Sequence, residues 1–171
     1  SRGAGMSVDR HLPGEYVTPD IRVIGLLRRG DDIDVYDAWS DTRDCRCVLK
    51  TLRPDRRTHR GARQRLLTEG RLLREFTHPN IVRAYEVYER PAPMVVLETL
   101  SGDTLGYLIG SHGPRLPLIE LCAMGLQLCS AVGYLHRNDL LHLDIKPSNV
   151  ICHLDRAMLI DLSIARPPGR G

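Results

Sequence analysis

Apolar and polar positions change rhythm several times along this chain. From Ile21, two short apolar stretches in DIRVIGLLRRGDDIDVYDAWS flank the polar run RRGDD, which predicts a β-hairpin. CRCVLKTLR alternates and predicts a third strand, with Cys45 and Cys47 on one face. THRGARQRLLTEGRLLREFT then sets Leu66, Leu67, Leu72, Leu73 and Phe76 near helical spacing, with basic residues elsewhere, and HPN ends that helix. IVRAYEVYE and PMVVLETL read as two more strands, with Pro91 and Pro93 in the turn between them. After Gly102 the pattern becomes helical. DTLGYLIGSHG predicts a short helix, and PLIELCAMGLQLCSAVGYLHRN a long one, apolar over so wide a face that it is expected to be largely buried. Two small strands follow, around Asn149–Cys152 and Ala157–Ile160.

Five strands with one helix, followed by mostly helix, predicts an α+β chain in two lobes. The expected divisions are a loose arm at residues 1–19, a sheet-bearing lobe at 20–98 and a helical lobe at 99–171, with a linker near Glu98–Gly102. Hydrophobic residues make up 42% and charged residues 26%, a balance that excludes wholesale disorder. A formal charge of +3 is too small to imply nucleic acid as partner. No apolar run is read here as a membrane span or a secretory signal. The five cysteines follow no zinc or disulfide spacing, so they are read as small apolar side chains in a reducing cytoplasm.

Four segments carry candidate chemistry: CVLK, HLDIKPSN, LIDLS and VVLETLSGDTL. In that content, and in chain order apart from the last, which falls between the first two, they resemble eukaryotic-type serine/threonine protein kinases, from about Ile21 to Arg166. Ordered multiple matches are far more specific than any one of them. The resemblance implies a two-lobe fold with a complete small lobe and only the first part of the helical large lobe. It also implies ATP and Mg²⁺ as cofactors and a protein as substrate or regulated partner. Lys50 would hold the α- and β-phosphates and Glu69 on the following helix would pair with it, keeping the ammonium charged. Asp144 would orient the attacking hydroxyl, Lys146 would neutralise the transferred phosphate, and Asn149 with Asp161 would ligate the metal through hard oxygen atoms. Adenine would lie between Val35 and Val48 above and Ile151 below. Its edge would meet backbone groups of Glu98 and Leu100, Leu97 would guard the pocket behind, and Asp103 would reach the ribose.

The sequence departs from the family at several points. Leu143 stands where the family loop has an arginine that pairs with an activation-segment phosphate, so that switch is missing. His142 is read as a packed structural residue. Leu162 and Ser163 replace the phenylalanine and glycine of the metal-binding turn, and the serine restricts its backbone. Of the three phosphate-loop glycines only Gly30 is present, with Arg28 and Ile33 at the other two places and Asp31 and Asp32 beside it. The turn is either a phosphate lid, in which those acids would repel nucleotide, or a polar hairpin facing solvent. RPDRRTHRGARQR reads as a solvated helix entrance; arginines at a helix N-terminus oppose its dipole, so a nearby anion would help them.

Two function classes follow. One is a small enzyme transferring phosphate from ATP to serine or threonine; the other is a kinase-like decoy or regulator that binds a partner without turnover. The chain stops after the Asp161-Leu162-Ser163 turn, so the long helix is expected to lack its usual cover. It is therefore expected to self-associate or bind another chain through Leu121, Met124, Leu128 and Val132.

Overall fold

The computed structural model describes residues 10–110 and 116–169. It divides into two compact units, Ser1–Leu67 with Glu86–Leu97, and Thr68–Tyr85 with Glu98–Gly171. Residues 1–9 of the expected arm and residues 111–113 of the expected short helix lie outside the described residues.

The first unit is built on a meander of β1 (Ile21–Arg29), β2 (Ile33–Ser40) and β3 (Cys45–Leu52). They belong to a five-stranded sheet of order β1-β2-β3-β5-β4, where β4 is Ala84–Tyr88 and β5 is Met94–Glu98. Alternation in β3 sends Cys47 and Leu49 into the core, both fully buried, while Val48 and Lys50 on the other face stay half-buried. Central β2 has cover on both faces, so even its acids are buried. Asp34, with no exposed surface, takes a two-pronged hydrogen bond from Arg29 at 2.9 Å on each oxygen, and Asp37 is gripped by Arg46. A buried carboxylate without such a partner would be strongly destabilising. The described part of the expected arm is ordered against β1: Gly14 N–H donates to Val23, Val23 N–H to Glu15, and Val17 N–H to Ile21. β1 is an edge strand, and these residues satisfy part of its open row of backbone groups.

Helix α1 (Arg60–Glu75) buries Ala62, Leu66, Leu67, Glu69 and Leu73, one stripe at helical spacing. His59 caps it, its Nδ1 accepting from Ala62 N–H at 3.0 Å.

The second unit holds α2 (Leu105–Leu108), α3 (Leu118–Arg137) and a hairpin of β6 (Val150–His153) and β7 (Arg156–Leu159). Thr68–Tyr85 belongs to it as well, because the HPN turn is stitched to the hairpin. Leu159 N–H donates to Asn80 at 2.9 Å and Val82 N–H to Leu159 at 2.8 Å. Buried Asn80 donates to Gln127 of α3 and to the Ala157 carbonyl, and Ala157 N–H closes the triangle on Gln127 at 2.7 Å. Reciprocal hydrogen bonding of this kind is what makes a buried polar knot stabilising.

One expectation fails clearly. Of α3 only Met124, Ala131 and Leu135 are buried, while Leu118, Ile119 and Leu126 are 76%, 80% and 73% exposed. The helix has the β6–β7 hairpin and the HPN turn as neighbours, and these cover a narrow stripe. Met124, expected on an open face, instead packs its sulfur 3.8 Å from Cys152 Sγ. By length and composition alone α3 could also cross a membrane, with a mean hydropathy of 1.6 in its most apolar window. The sequence reading excluded any such run. The ties of Gln127 and Ser130 to the HPN turn instead mark α3 as one wall of this unit.

Candidate active site

The second unit gathers its chemistry on the loop after α3. Leu141 and Arg166 exchange backbone hydrogen bonds of 2.9 and 3.0 Å, pinning the start of the loop to the segment after Asp161-Leu162-Ser163. Leu143 then turns the chain through a left-handed conformation, φ +65°, unusual for a non-glycine residue. That turn brings Asp144 N–H onto His142 Nδ1 at 3.2 Å. His142 is buried, and burial lowers its pKa below the ordinary histidine value against the opposing pull of the Asp161 and Asp144 charges. It is therefore a neutral acceptor that orients the loop.

Pro147–Asn149 form a single 3-10 turn, which returns Asn149 to its own loop. Asn149 Nδ2 donates to the Asp144 carboxylate at 2.9 Å and to the Asp144 carbonyl at 3.0 Å. Lys146 Nζ reaches the same carboxylate oxygen, Oδ2, at 3.1 Å. The other oxygen, Oδ1, has no hydrogen bond among the described residues. Ile160 N–H donates to the Asn149 carbonyl at 3.2 Å, which sets Asp161 just past the end of β7. Asp161 Oδ1 accepts Ser163 N–H at 2.7 Å, a local turn that Ser163 makes through its backbone alone. The structure thus brings Asp144, Lys146 and Asn149 into one cluster and ties Asp161 to it through the backbone.

No group of three or more His, Cys, Asp or Glu side chains with metal-site geometry occurs among the described residues. A hard dication of the Mg²⁺ kind needs fewer protein ligands when phosphates and water complete its shell. Asn149 fits such a role: both hydrogen bonds to Asp144 come from its nitrogen, so the amide oxygen is not used in them.

The remaining candidates of this unit lie on the linker and β6. Glu98 N–H donates to Arg83 at 3.0 Å, and its carboxylate takes Arg83 N–H at 2.9 Å, so its side chain is a structural clamp. Leu100 is half-buried and Asp103 exposed; the Asp103 carbonyl accepts Cys152 N–H at 3.0 Å, while Thr104 bridges to Ile151. Glu69 is 5% exposed on α1. In the first unit, Lys50 sits directly across from Val35 in the β2–β3 register, on the same face as Val48. Leu97 is buried on β5, and Gly30 N–H closes the β1–β2 turn onto Ile33 at 2.8 Å.

Two glycines were not singled out from sequence. Gly102 has φ +114°, and a Cβ there would lie 2.1 Å from the Cys152 carbonyl oxygen. Gly106 lets α2 approach the loop, where a Cβ would stand 3.3 Å from Ser148 N. The Ser-Gly-Asp linker was a turn signal; which glycine meets a backbone is a tertiary fact.

Comparison with known proteins agrees with this geometry. The family model described as protein kinase domain matches residues 21–169. Serine/threonine-protein kinase PrkC of Bacillus subtilis is 32% identical over 94% of this chain and 24% of its own length. PknB of Mycobacterium leprae is 31% identical over 94% of this chain and 26% of its own length, and PknG of Mycolicibacterium smegmatis 31% over 88% and 20%. The chain thus spans about a fifth to a quarter of the curated relatives it matches. Its α+β fold is that of a kinase small lobe with the first part of a large lobe, and the chain belongs to the protein kinase domain family.

Proposed function

We propose that this chain transfers the γ-phosphate of ATP to a serine or threonine hydroxyl of a protein, with Mg²⁺ bound. The observation that carries the reading is the state of Asp144. Its Oδ2 is fixed by Asn149 and Lys146, and its Oδ1 is left to accept a hydrogen bond. A carboxylate so held can orient an incoming hydroxyl and take its proton as the phosphoryl group transfers. Lys146 can shift its ammonium from Asp144 to the transferring phosphate. Lys50 binds the α- and β-phosphates, and Glu69 keeps that ammonium aimed and charged. Asn149 Oδ1 and Asp161 hold the metal, which supplies neutralisation of phosphate charge. Val35, Val48, Leu97 and Ile151 provide apolar surface for adenine, Glu98 and Leu100 the backbone edge, and Asp103 a contact for ribose, while Gly30 lets the turn approach the phosphates.

A second reading, a nucleotide-holding regulator without turnover, is favoured by the single glycine of the β1–β2 turn and by Leu143 in place of arginine. A protein partner is part of either reading, and the exposed stripe of α3 offers it a surface. All five cysteines are free thiols, which supports a reducing, cytoplasmic setting. Transfer from radiolabelled ATP to a generic acceptor, beside Asp144→Asn, tests the enzyme reading. Turnover should fall by about 10²–10⁴-fold while ATP still binds. Equal turnover in both proteins would refute the role of Asp144, and none in either, with ATP bound, would select the regulator.

A further inference from the structure

The β1–β2 turn is held from outside by a set of arginines. Arg65 of α1 donates to Asp32 Oδ2 at 2.7 Å, and Arg56 Nε lies 3.6 Å from Asp32 Oδ1. Arg53 adds backbone ties: its N–H donates to the Asp32 carbonyl at 2.9 Å, and its guanidinium reaches the Gly30 and Asp31 carbonyls at 3.2 and 3.3 Å. Arg53 is itself aimed by Asp55, at 3.0 Å on each oxygen. Helix α1 has no acid in its first turn. Asp32 is therefore the anion that its basic N-terminal turns require. The Asp32 charge, expected from the sequence to act on phosphate or to face solvent, is instead paired within the fold.

We propose that Asp32 is a positioning residue: Arg56 and Arg65 hold its carboxylate, and the clasp fixes the β1–β2 turn over the place where nucleotide phosphates bind. This rests on the kinase reading above. A turn with one glycine cannot mould itself around phosphates as a flexible glycine loop does. It must be placed beforehand, and preorganisation lowers the ordering cost of binding. The clasp also neutralises Asp32, which removes the repulsion an unpaired acid would exert. Asp31, exposed and outside the clasp, carries the same charge one residue away and serves as the control.

The test measures two things on the whole chain: hydrogen exchange at the Gly30 and Arg53 amides, and ATP affinity with Mg²⁺ by fluorescence titration. Asp32→Asn and Arg65→Gln should each speed exchange and weaken ATP binding by about five-fold, the scale of a partly exposed ion-pair network. Asp32→Glu should recover both, Asp31→Asn should leave exchange unchanged, and about 1 M salt should erase the wild-type advantage. Unchanged exchange in Asp32→Asn overturns the clasp. Unchanged or tighter ATP binding in that variant, with faster exchange, overturns the positioning role. Failure of the wild type to bind ATP, with exchange still responding, overturns the kinase reading and the positioning role, and leaves Asp32 as an anchor of the turn only.

Discussion

Gly102→Ala should be among the most damaging small substitutions in this chain, and its cost follows from two separate terms. The residue sits at φ +114°, where an alanine is strained by about 1–2 kcal/mol. Its new Cβ would stand 2.1 Å from the Cys152 carbonyl oxygen, a backbone atom that cannot rotate away. Opening that gap to an ordinary contact moves the linker off β6 by about 1 Å or more. Such a shift breaks the Cys152 N–H to Asp103 hydrogen bond and the Thr104–Ile151 bridge, at about 1 kcal/mol each. The sum is about 3–4 kcal/mol, a large share of the stability of an ordinary domain. Gly125→Ala is the matched control, since nothing lies within 4 Å of a Cβ at that helical position. It should stabilise by about 0.5–1 kcal/mol through helix propensity. Urea denaturation followed by far-UV circular dichroism reads both. A Gly102→Ala loss under about 0.5 kcal/mol would mean the linker approaches β6 less closely than the geometry requires, and the argument would fail.

Acidification should weaken the HPN turn through His78. Burial, and then the Arg137 charge, lower its pKa below the ordinary 6.5, and its Nδ1 accepts Asn80 N–H at 3.0 Å. Above about pH 6.5 the ring is neutral folded and unfolded; below it the unfolded chain takes up a proton that the folded one resists, so stability falls as pH drops. The urea midpoint should therefore decline from about pH 7 to 5 in wild type and less steeply in His78→Gln; parallel curves would refute the assignment. The exposed stripe of α3 should drive self-association, visible by light scattering as mass rising with concentration. Ile119→Glu with Leu126→Glu should restore a monomer, whereas a monodisperse wild-type monomer at micromolar concentration would sink the idea.

Periodicity made most of this fold legible. Alternation marks β3, and helical spacing marks α1 through Leu66, Leu67 and Leu73. The loop residues Asp144, Lys146 and Asn149 were legible through the resemblance of HLDIKPSN to the kinase loop, and a single loop brings them into contact. What stayed hidden depends on partners distant in sequence or on which face is covered. Asp34 and Asp37 look like strand-surface acids until Arg29 and Arg46 close over them from neighbouring strands. The width of the apolar face on α3 says what could be buried, and the neighbours decide what is. Gly102 reads as a plain linker glycine, because the Cys152 carbonyl that demands it lies on β6. Asp32 reads as a phosphate-repelling acid because the sequence shows its charge and hides the two guanidinium groups that hold it.

The same contrast bears on control. In the family pattern an arginine before the loop aspartate couples loop geometry to a phosphate; here Leu143 fills that place, 49% exposed and without charge. The loop is nonetheless fixed by groups that need no phosphate. Leu141 and Arg166 bond through their backbones, neutral His142 holds Asp144 N–H, and Asn149 holds the carboxylate. Lys146 adds an ion pair to the same carboxylate at 3.1 Å, so Asp144 is held by groups from within its own unit. The two halves of the chemistry therefore respond to different perturbations. In the proposed reaction, Asp144 has hydrogen bonds with Asn149 and His142 that salt scarcely touches, beside its partly exposed Lys146 ion pair. Placement of the phosphate turn rests more heavily on the partly exposed Asp32 clasp, which salt screens. Raising ionic strength should thus raise the KM for ATP before it lowers kcat. The reverse order would show that the loop around Asp144, and not the turn, is the softer element.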